Sequence, residues 1–235
     1  MLHTLGPLSS AWPLPNPASG AVLTCCSFSA QALRPDDFQR HAVQPPENIQ
    51  RSVAKRQAEF LAGRVCAREA VRAVSGLGWV APVGKDRAPL WPAGVRASIT
   101  HSDQWAACVA ARSADWQALG LDAETLLAPE RAQRLKSEIL TPTELERLPA
   151  DETLAALAVT LTFSLKESLF KALYPLVLQR FWFEHAELLG WSSDGQARLR
   201  LLTDLSERWR HGVEIDAQFC IENRRLLSLV AIAPS

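Results

Sequence analysis

The order of elements in this sequence predicts an α+β fold, and three observations carry that reading. A stretch rich in Ala, Arg, Glu and Gln runs from about Ile49 to Val74 and has helical composition. A second helical stretch runs from Glu152 to about Leu178. The tail, from Phe181 to Ala233, breaks into short alternating segments that read as an antiparallel sheet of hairpins. Mixed strand and helix come first, then helices, then a mostly β end, which is the α+β order.

Residues 1–20 form an arm without periodicity, extended over the surface and interrupted by Pro7, Pro13, Pro15 and Pro17. The arm has no basic n-region and does not read as a signal peptide. Ala21 to Phe28 is the first strand, and Arg34 to Pro46 is loop with a short helix after Pro35. In the helix that follows, Ser75-Gly76 marks the end. Arg56, Phe60, Arg64, Arg68 and Arg72 recur at every fourth position, with Val53, Leu61, Val65 and Val71 for apolar contact. Such an arginine ladder is either a solubilising surface or a track for an anionic ligand, because guanidinium binds phosphate oxygens bidentately.

Trp79 to Pro92 is a connector from which Lys85 and Arg87 project on a loop. Three strands follow, Arg96–His101, Trp105–Ala111 and Gln117–Glu124. His101 ends the first of them among hydroxyl residues, either as a turn histidine or as a hydrogen-bond donor to phosphate. Pro129–Ile139 and Thr141–Leu148 read as helices, the second opened by a capping box, Thr141-Pro142-Thr143-Glu144. The helix from Glu152 breaks either near Leu161–Phe163 or at Pro175. The tail strands are Glu187–Trp191, Ala197–Leu202, Gln218–Glu222 and Leu226–Ile232. A helix followed by three strands in each half hints at a repeat, without internal sequence identity.

The chain of 235 residues is long enough for a full core, with 48% hydrophobic and 21% charged residues, an ordinary soluble composition. With 25 basic and 25 acidic residues it has no formal net charge, which excludes gross electrostatic attraction to nucleic acid or membrane and still permits a basic patch. Cys25, Cys26, Cys66, Cys108 and Cys220 are scattered and include no C-x-x-C pair, which points to a reducing compartment and a cytoplasmic protein. No apolar run approaches a membrane span on this reading.

The chemistry gathers on Phe163-Ser-Leu-Lys-Glu-Ser-Leu-Phe-Lys171. On a helix, Glu167 and Lys171 stand one turn apart, about 6 Å along the axis, beside an apolar stripe of Leu165, Leu169 and Leu173. They are either an ordinary ion pair or a device that holds a metal ion and a phosphate together. Asp122 and Glu124 share a strand face, about 7 Å apart, with Leu121 pointing into the sheet. They are either a solvated strand end or two repelling carboxylates awaiting a cation. Asp122, Glu124 and Glu167 together suit a hard cation such as Mg²⁺, which takes oxygen ligands and shares positions with substrate phosphate. Zinc spacing, a P-loop, a dinucleotide fingerprint and a nucleophile elbow are all missing from the sequence.

Trp91-Pro-Ala-Gly-Val-Arg-Ala-Ser-Ile-Thr-His-Ser102, Gly120-Leu-Asp-Ala-Glu124 and the Phe163–Lys171 stretch stand in the order and spacing of the 4′-phosphopantetheinyl transferases. The sequence resembles the larger, monomeric surfactin/enterobactin-type class, and Lys55-Arg-Gln-Ala-Glu-Phe-Leu-Ala-Gly-Arg64 resembles its enterobactin-type subgroup. Leu121 stands where that family often has Ile. The resemblance implies an arm (1–20) and two similar α+β halves (21–115 and 116–235), packed as a pseudo-dimer around a coenzyme A cleft. It implies Mg²⁺ on Asp122, Glu124 and Glu167, and phosphate contacts from His101 and Lys171. It also implies contacts to the nucleotide end of coenzyme A from Arg56, Arg64, Lys85, Arg87, Ala88, Pro89 and Thr100. A serine hydroxyl of an apo acyl or peptidyl carrier protein would attack the β-phosphate and release 3′,5′-ADP, with Glu167 as base, directly or through a metal-bound water. Two other readings compete: a Mg²⁺-dependent pyrophosphate hydrolase and a catalytically silent carrier-binding module. The intact carboxylate and lysine set weighs against silence. No motif marks which carrier is preferred.

Overall fold

Two compact units divide the chain in the computed structural model, which describes residues 3–84 and 86–234. The first comprises Ala18–Gln117 with the described residues up to Trp12 and after Ile232. It contains β1 (Val22–Ser27), α1 (Asp37–Arg40), α2 (Glu47–Gln50), α3 (Ala54–Ser75), β2 (Val95–Ser102) and β3 (Trp105–Arg112). The strands form an antiparallel sheet in the order β1-β3-β2. Helix α3 covers this sheet with a row of small residues, Ala58, Ala62, Cys66 and Ala70, spaced one turn apart. They bury against Cys26, Ala106, Cys108 and Ala110, so helix and sheet backbones approach closely. On another side of α3, Phe60, Leu61 and Val65 enclose Val43 and Ile49. The helix stops at Gly76, whose φ of 76° is the left-handed conformation that glycine adopts without strain.

The second unit comprises Ala118–Ile232 with Pro13–Pro17. Its elements are β4 (Ala118–Thr125), α4 (Pro129–Ile139), α5 (Pro142–Glu146), α6 (Glu152–Val177), β5 (Ala186–Trp191), β6 (Gln196–Leu201), β7 (Glu214–Glu222) and β8 (Arg225–Ile232). The sheet runs β4-β8-β7-β6-β5, all antiparallel, so the last strand lies between the first and the rest. The predicted apolar stripe of α6, Leu165, Leu169 and Leu173, forms the core and extends to Leu161, packing on Leu199, Leu201, Leu226 and Val230. A second face of α6, at Ala156 and Val159, meets Ala132, Ile139 and Leu140 around α4.

The α+β reading holds, and several boundaries move. The helix expected from Ile49 begins at Ala54, after a separate single turn at Glu47–Gln50. The gap between them is held open by Gln57, whose side-chain nitrogen donates to the carbonyls of Gln50 and Ser52. The helix opened by the Thr141 capping box ends at Glu146 rather than Leu148. Helix α6 is unbroken at Leu161–Phe163 and at Pro175, because proline in the last turn removes only one ladder donor. The arm is not simply laid over the surface: Thr4, Leu14 and Ala18 are buried, and Leu5 and Ser9 bridge to Phe28 and Cys25. The hinted repeat is not the observed pattern, since within its unit α3 is followed by two strands and α6 by four. Helix α6, 26 residues long, also corrects the expectation about apolar runs, being long and apolar enough to cross a membrane; 56% of its most apolar stretch is buried inside the protein.

Candidate active site

Gly120 brings the motif helix onto the motif strand. A β-carbon built there would lie 1.9 Å from the Ser168 carbonyl oxygen and 2.6 Å from the Ala172 nitrogen. Only a residue without a side chain lets α6 lie this close to β4. Two positions further on, Asp122 is buried, and Lys171 Nζ donates to its Oδ1 at 2.6 Å and to the Leu121 carbonyl at 3.1 Å. The other carboxylate oxygen, Oδ2, accepts from Ser164 Oγ at 2.9 Å. Lys171 therefore pairs with the strand carboxylate, and of the two alternatives for Glu167 and Lys171 the ordinary ion pair within the helix is not the contact formed.

Glu124 and Glu167 are partly buried beside Asp122, and their electrostatics place all three carboxylates in one field. Glu124 is pushed up to about 7, first by burial and then by the negative charge of Asp122, with Lys171 pulling the other way and Glu167 adding repulsion. Glu167 is raised by burial and by Asp122, against the attraction of Lys171. Of the alternatives left open by the sequence, repelling carboxylates describe this strand better than a solvated end does. Among the described residues, no group of three or more His, Cys, Asp or Glu side chains is arranged as a ready metal site. The donor set itself, three carboxylates of which Asp122 raises the proton affinity of the other two, fits a hard divalent cation.

Lys166, adjacent to Glu167 in sequence, turns the opposite way, into the interior. Its Nζ donates to Glu144 Oε2 at 2.7 Å and to the carbonyls of Ile139 and Phe183 at 2.9 and 3.0 Å. Both side chains are nearly inaccessible, and burial pulls the lysine down from its usual range against the attraction of Glu144. Glu144 closes the capping box through Thr141 N and accepts Leu188 N on its other oxygen. All three protons of the ammonium and both carboxylate oxygens are engaged, which fixes α6 against α5 and β5.

In the first unit, Arg56 Nη1 donates to His101 Nε2 at 3.0 Å. Guanidinium cannot accept, so His101 takes this bond with its proton on Nδ1, the nitrogen 3.9 Å from Glu59 Oε2. Thr100 is buried beside it on β2. Arg64 is not an exposed rung of a ladder: it is 7% accessible, lies 4.5 Å over the Phe60 ring, and is lowered to about 10 by burial. Its Nε has no hydrogen-bond partner among the described residues. Arg68 and Arg72 are engaged by Glu69, and Arg68 also by the His41 carbonyl.

The connector loop closes on itself through Gly84 N to Ala88 O (2.7 Å) and Arg87 N to Gly84 O (3.0 Å), with Val83 bridged to Pro89. Arg87 sits exposed at a φ of 71°. Lys85 lies outside the described residues. Sequence reasoning missed Ser164, Ser168 and Ser228, which lie behind Asp122. Ser164 and Ser168 were visible in the motif itself, whereas Ser228 carries no local signal.

Comparison with known proteins places the chain by its sequence. The family "4'-phosphopantetheinyl transferase N-terminal domain" matches residues 44–111, and "4'-phosphopantetheinyl transferase superfamily" matches residues 118–226. The chain is 44% identical to enterobactin synthase component D of Escherichia coli K12 over 125 residues, covering 53% of this chain and 58% of that protein. It is 37% identical to the Salmonella typhimurium protein of the same name, over 70% of this chain and 67% of that one. It is 33% identical to 4'-phosphopantetheinyl transferase Npt of Nocardia iowensis over 72% of this chain and 75% of that protein. The match to the Escherichia coli relative thus spans little more than half of that relative's length.

Proposed function

Because the chain belongs to the 4′-phosphopantetheinyl transferase superfamily, we propose that it transfers the phosphopantetheine arm of coenzyme A to a serine of an apo acyl or peptidyl carrier protein. The observation that carries this reading is the contact of Lys171 with Asp122, with Glu124 and Glu167 partly buried in the same electrostatic field. In the reaction the carrier hydroxyl oxygen bonds to the β-phosphorus, the bond from that phosphorus to the oxygen bridging to the α-phosphate breaks, and 3′,5′-ADP leaves.

Glu167 takes the serine proton, directly or through a water. Lys171 holds pyrophosphate oxygens from the helix and keeps the Asp122 carboxylate oriented. Mg²⁺, held by Asp122, Glu124 and Glu167, would supply charge neutralisation for the transferring phosphoryl group. His101, with Arg56 donating to its Nε2, presents an Nδ1–H that can donate to a phosphate oxygen. Arg56, Arg64, Thr100 and the Lys85–Pro89 loop contribute to the nucleotide end. The buried, orphaned Nε of Arg64 supports that assignment, because an anion would satisfy it. The five unbridged cysteines support a reducing, cytoplasmic setting, and the protein is proposed to act as a monomer.

The test is intact-mass spectrometry of apo carriers incubated with the protein, coenzyme A and Mg²⁺. One phosphopantetheine arm should be gained, and EDTA or Glu167→Ala should abolish the gain. Carriers of the fatty-acid and peptide-synthesis types left unmodified would overturn the reading. Release of 3′,5′-ADP without a carrier would favour hydrolysis.

A further inference from the structure

We infer that Ser228 is a positioning residue for Asp122, acting through Ser164 in a one-way relay of hydroxyl donors. The inference rests on the reading of Asp122 as a metal ligand. Ser228 lies on β8 directly across from Asp122 on β4, and both face α6, which contributes Ser164 and Ser168. All three serines are 0% accessible.

Counting protons fixes the direction of the relay. A carboxylate only accepts, so Ser164 gives its single hydroxyl proton to Asp122 Oδ2 at 2.9 Å. Ser164 and Ser228 are 2.7 Å apart, and with the Ser164 proton already committed, Ser228 is the donor between them. The proton of Ser228 is then committed too. The single proton of Ser168 has two acceptors on Ser228, the hydroxyl oxygen at 2.8 Å and the carbonyl oxygen at 3.0 Å, so Ser168 holds Ser228 in place without adding a fixed step to the relay. Ser228 and Ser164 therefore donate in sequence toward one oxygen of Asp122, while Lys171 holds the other. Bonds aligned in this way polarise one another, and two fixed oxygens fix the plane of the carboxylate.

Ser228→Ala is an informative variant because it leaves no buried donor stranded. Ser168 retains the Ser228 backbone carbonyl and Ser164 retains Asp122, so only the donor into Ser164 is lost. The experiment is calorimetric titration of Mg²⁺ into the full chain with coenzyme A, for wild type, Ser228→Ala, Ser164→Ala and the double variant. Groups that orient a metal ligand typically change metal affinity by about 10- to 100-fold. One step further removed, Ser228→Ala should weaken Mg²⁺ binding about 3- to 10-fold. The double variant should match Ser164→Ala to about twofold, since Ser228 acts only through Ser164. In the carrier assay the loss should shrink at saturating Mg²⁺, with KM for coenzyme A unchanged.

Unaltered Mg²⁺ affinity in Ser228→Ala, or losses that multiply in the double variant, would overturn the relay. Should the alanine variant prove insoluble, Ser228→Cys fills the site with a weak donor and should shift affinity in the same direction. Wild type that binds Mg²⁺ yet modifies no carrier would overturn the transfer reading while the titrations still decide the relay. Wild type that binds no Mg²⁺ would overturn the relay, leaving transfer to be judged by mass.

Discussion

Gly120 and Ser168 are so close that the missing β-carbon of one would lie 1.9 Å from the carbonyl oxygen of the other. The three atoms nearest that virtual atom are all backbone, so none can rotate away. Gly120→Ala must therefore push α6 off β4, separating Lys171 from Asp122 as well as opening the core. We expect a loss of about 3 kcal/mol or more in urea unfolding, together with loss of transfer. A variant within about 1 kcal/mol of wild type would show that the helix approaches less closely than this geometry requires.

The Lys166–Glu144 pair yields a second prediction. Lys166→Met removes the ammonium and leaves Glu144 buried without its cation, and the Ile139 and Phe183 carbonyls without their donor. Breaking one side of a buried pair costs about 3–5 kcal/mol. Glu144→Gln added to Lys166→Met should recover at least about 1 kcal/mol, because an amide tolerates the site better than an unpaired charge. Chemical unfolding of the single and double variants measures this, and a double variant less stable than Lys166→Met would refute it.

Glu124 gives the metal-free protein a pH dependence whose sign follows from its raised proton affinity. Unfolded, it titrates near 4.5; folded, near 7. Between these values the folded state holds a proton that the unfolded state has released, so stability falls as pH rises from about 4.5 to about 7 and then levels off. Glu124→Gln should remove this fall. At pH 8 it should raise metal-free stability by roughly 1–3 kcal/mol relative to wild type, and near pH 4.5 it should change little. Identical pH profiles for the two proteins would show that the carboxylates do not repel as described.

Much of this site was legible because its information is local. Glu167 and Lys171 at helical spacing, Asp122 and Glu124 at strand spacing, and the Thr141–Glu144 capping box are all set by a few consecutive residues. What escaped depends on tertiary register. Ser228 sits in an apolar run that reads only as strand, and its role appears once β8 pairs with β4 to bring it across from Asp122. The orientation of Lys166 is decided by the carbonyls of Ile139 and Phe183, from elements on either side of α6. The break before α3 has no proline or glycine to announce it; a single glutamine side chain capturing two carbonyls makes it. Arg64 was placed in an exposed ladder by its spacing, and only the packing around Phe60 reveals that it is buried.

Arg64 also sets stability against binding. Its guanidinium is desolvated, and the Nε has no partner among the described residues. Burial lowers its folded-state pKa to about 10, so below that value Arg64 stays charged in both states and holding the charge costs the folded one stability. A buried donor left unmade costs about 1–3 kcal/mol. Arg64→Met keeps an unbranched apolar stem on the Phe60 ring while removing the charge and the donor. We expect the ligand-free variant to be about 1 kcal/mol more stable than wild type, and to lose most of the rise in Tm that coenzyme A gives wild type. Thermal unfolding with and without coenzyme A reads both effects. A variant stabilised in both conditions would place Arg64 outside the coenzyme A site. One destabilised without ligand would mean that stacking on Phe60 outweighs the unmet donor.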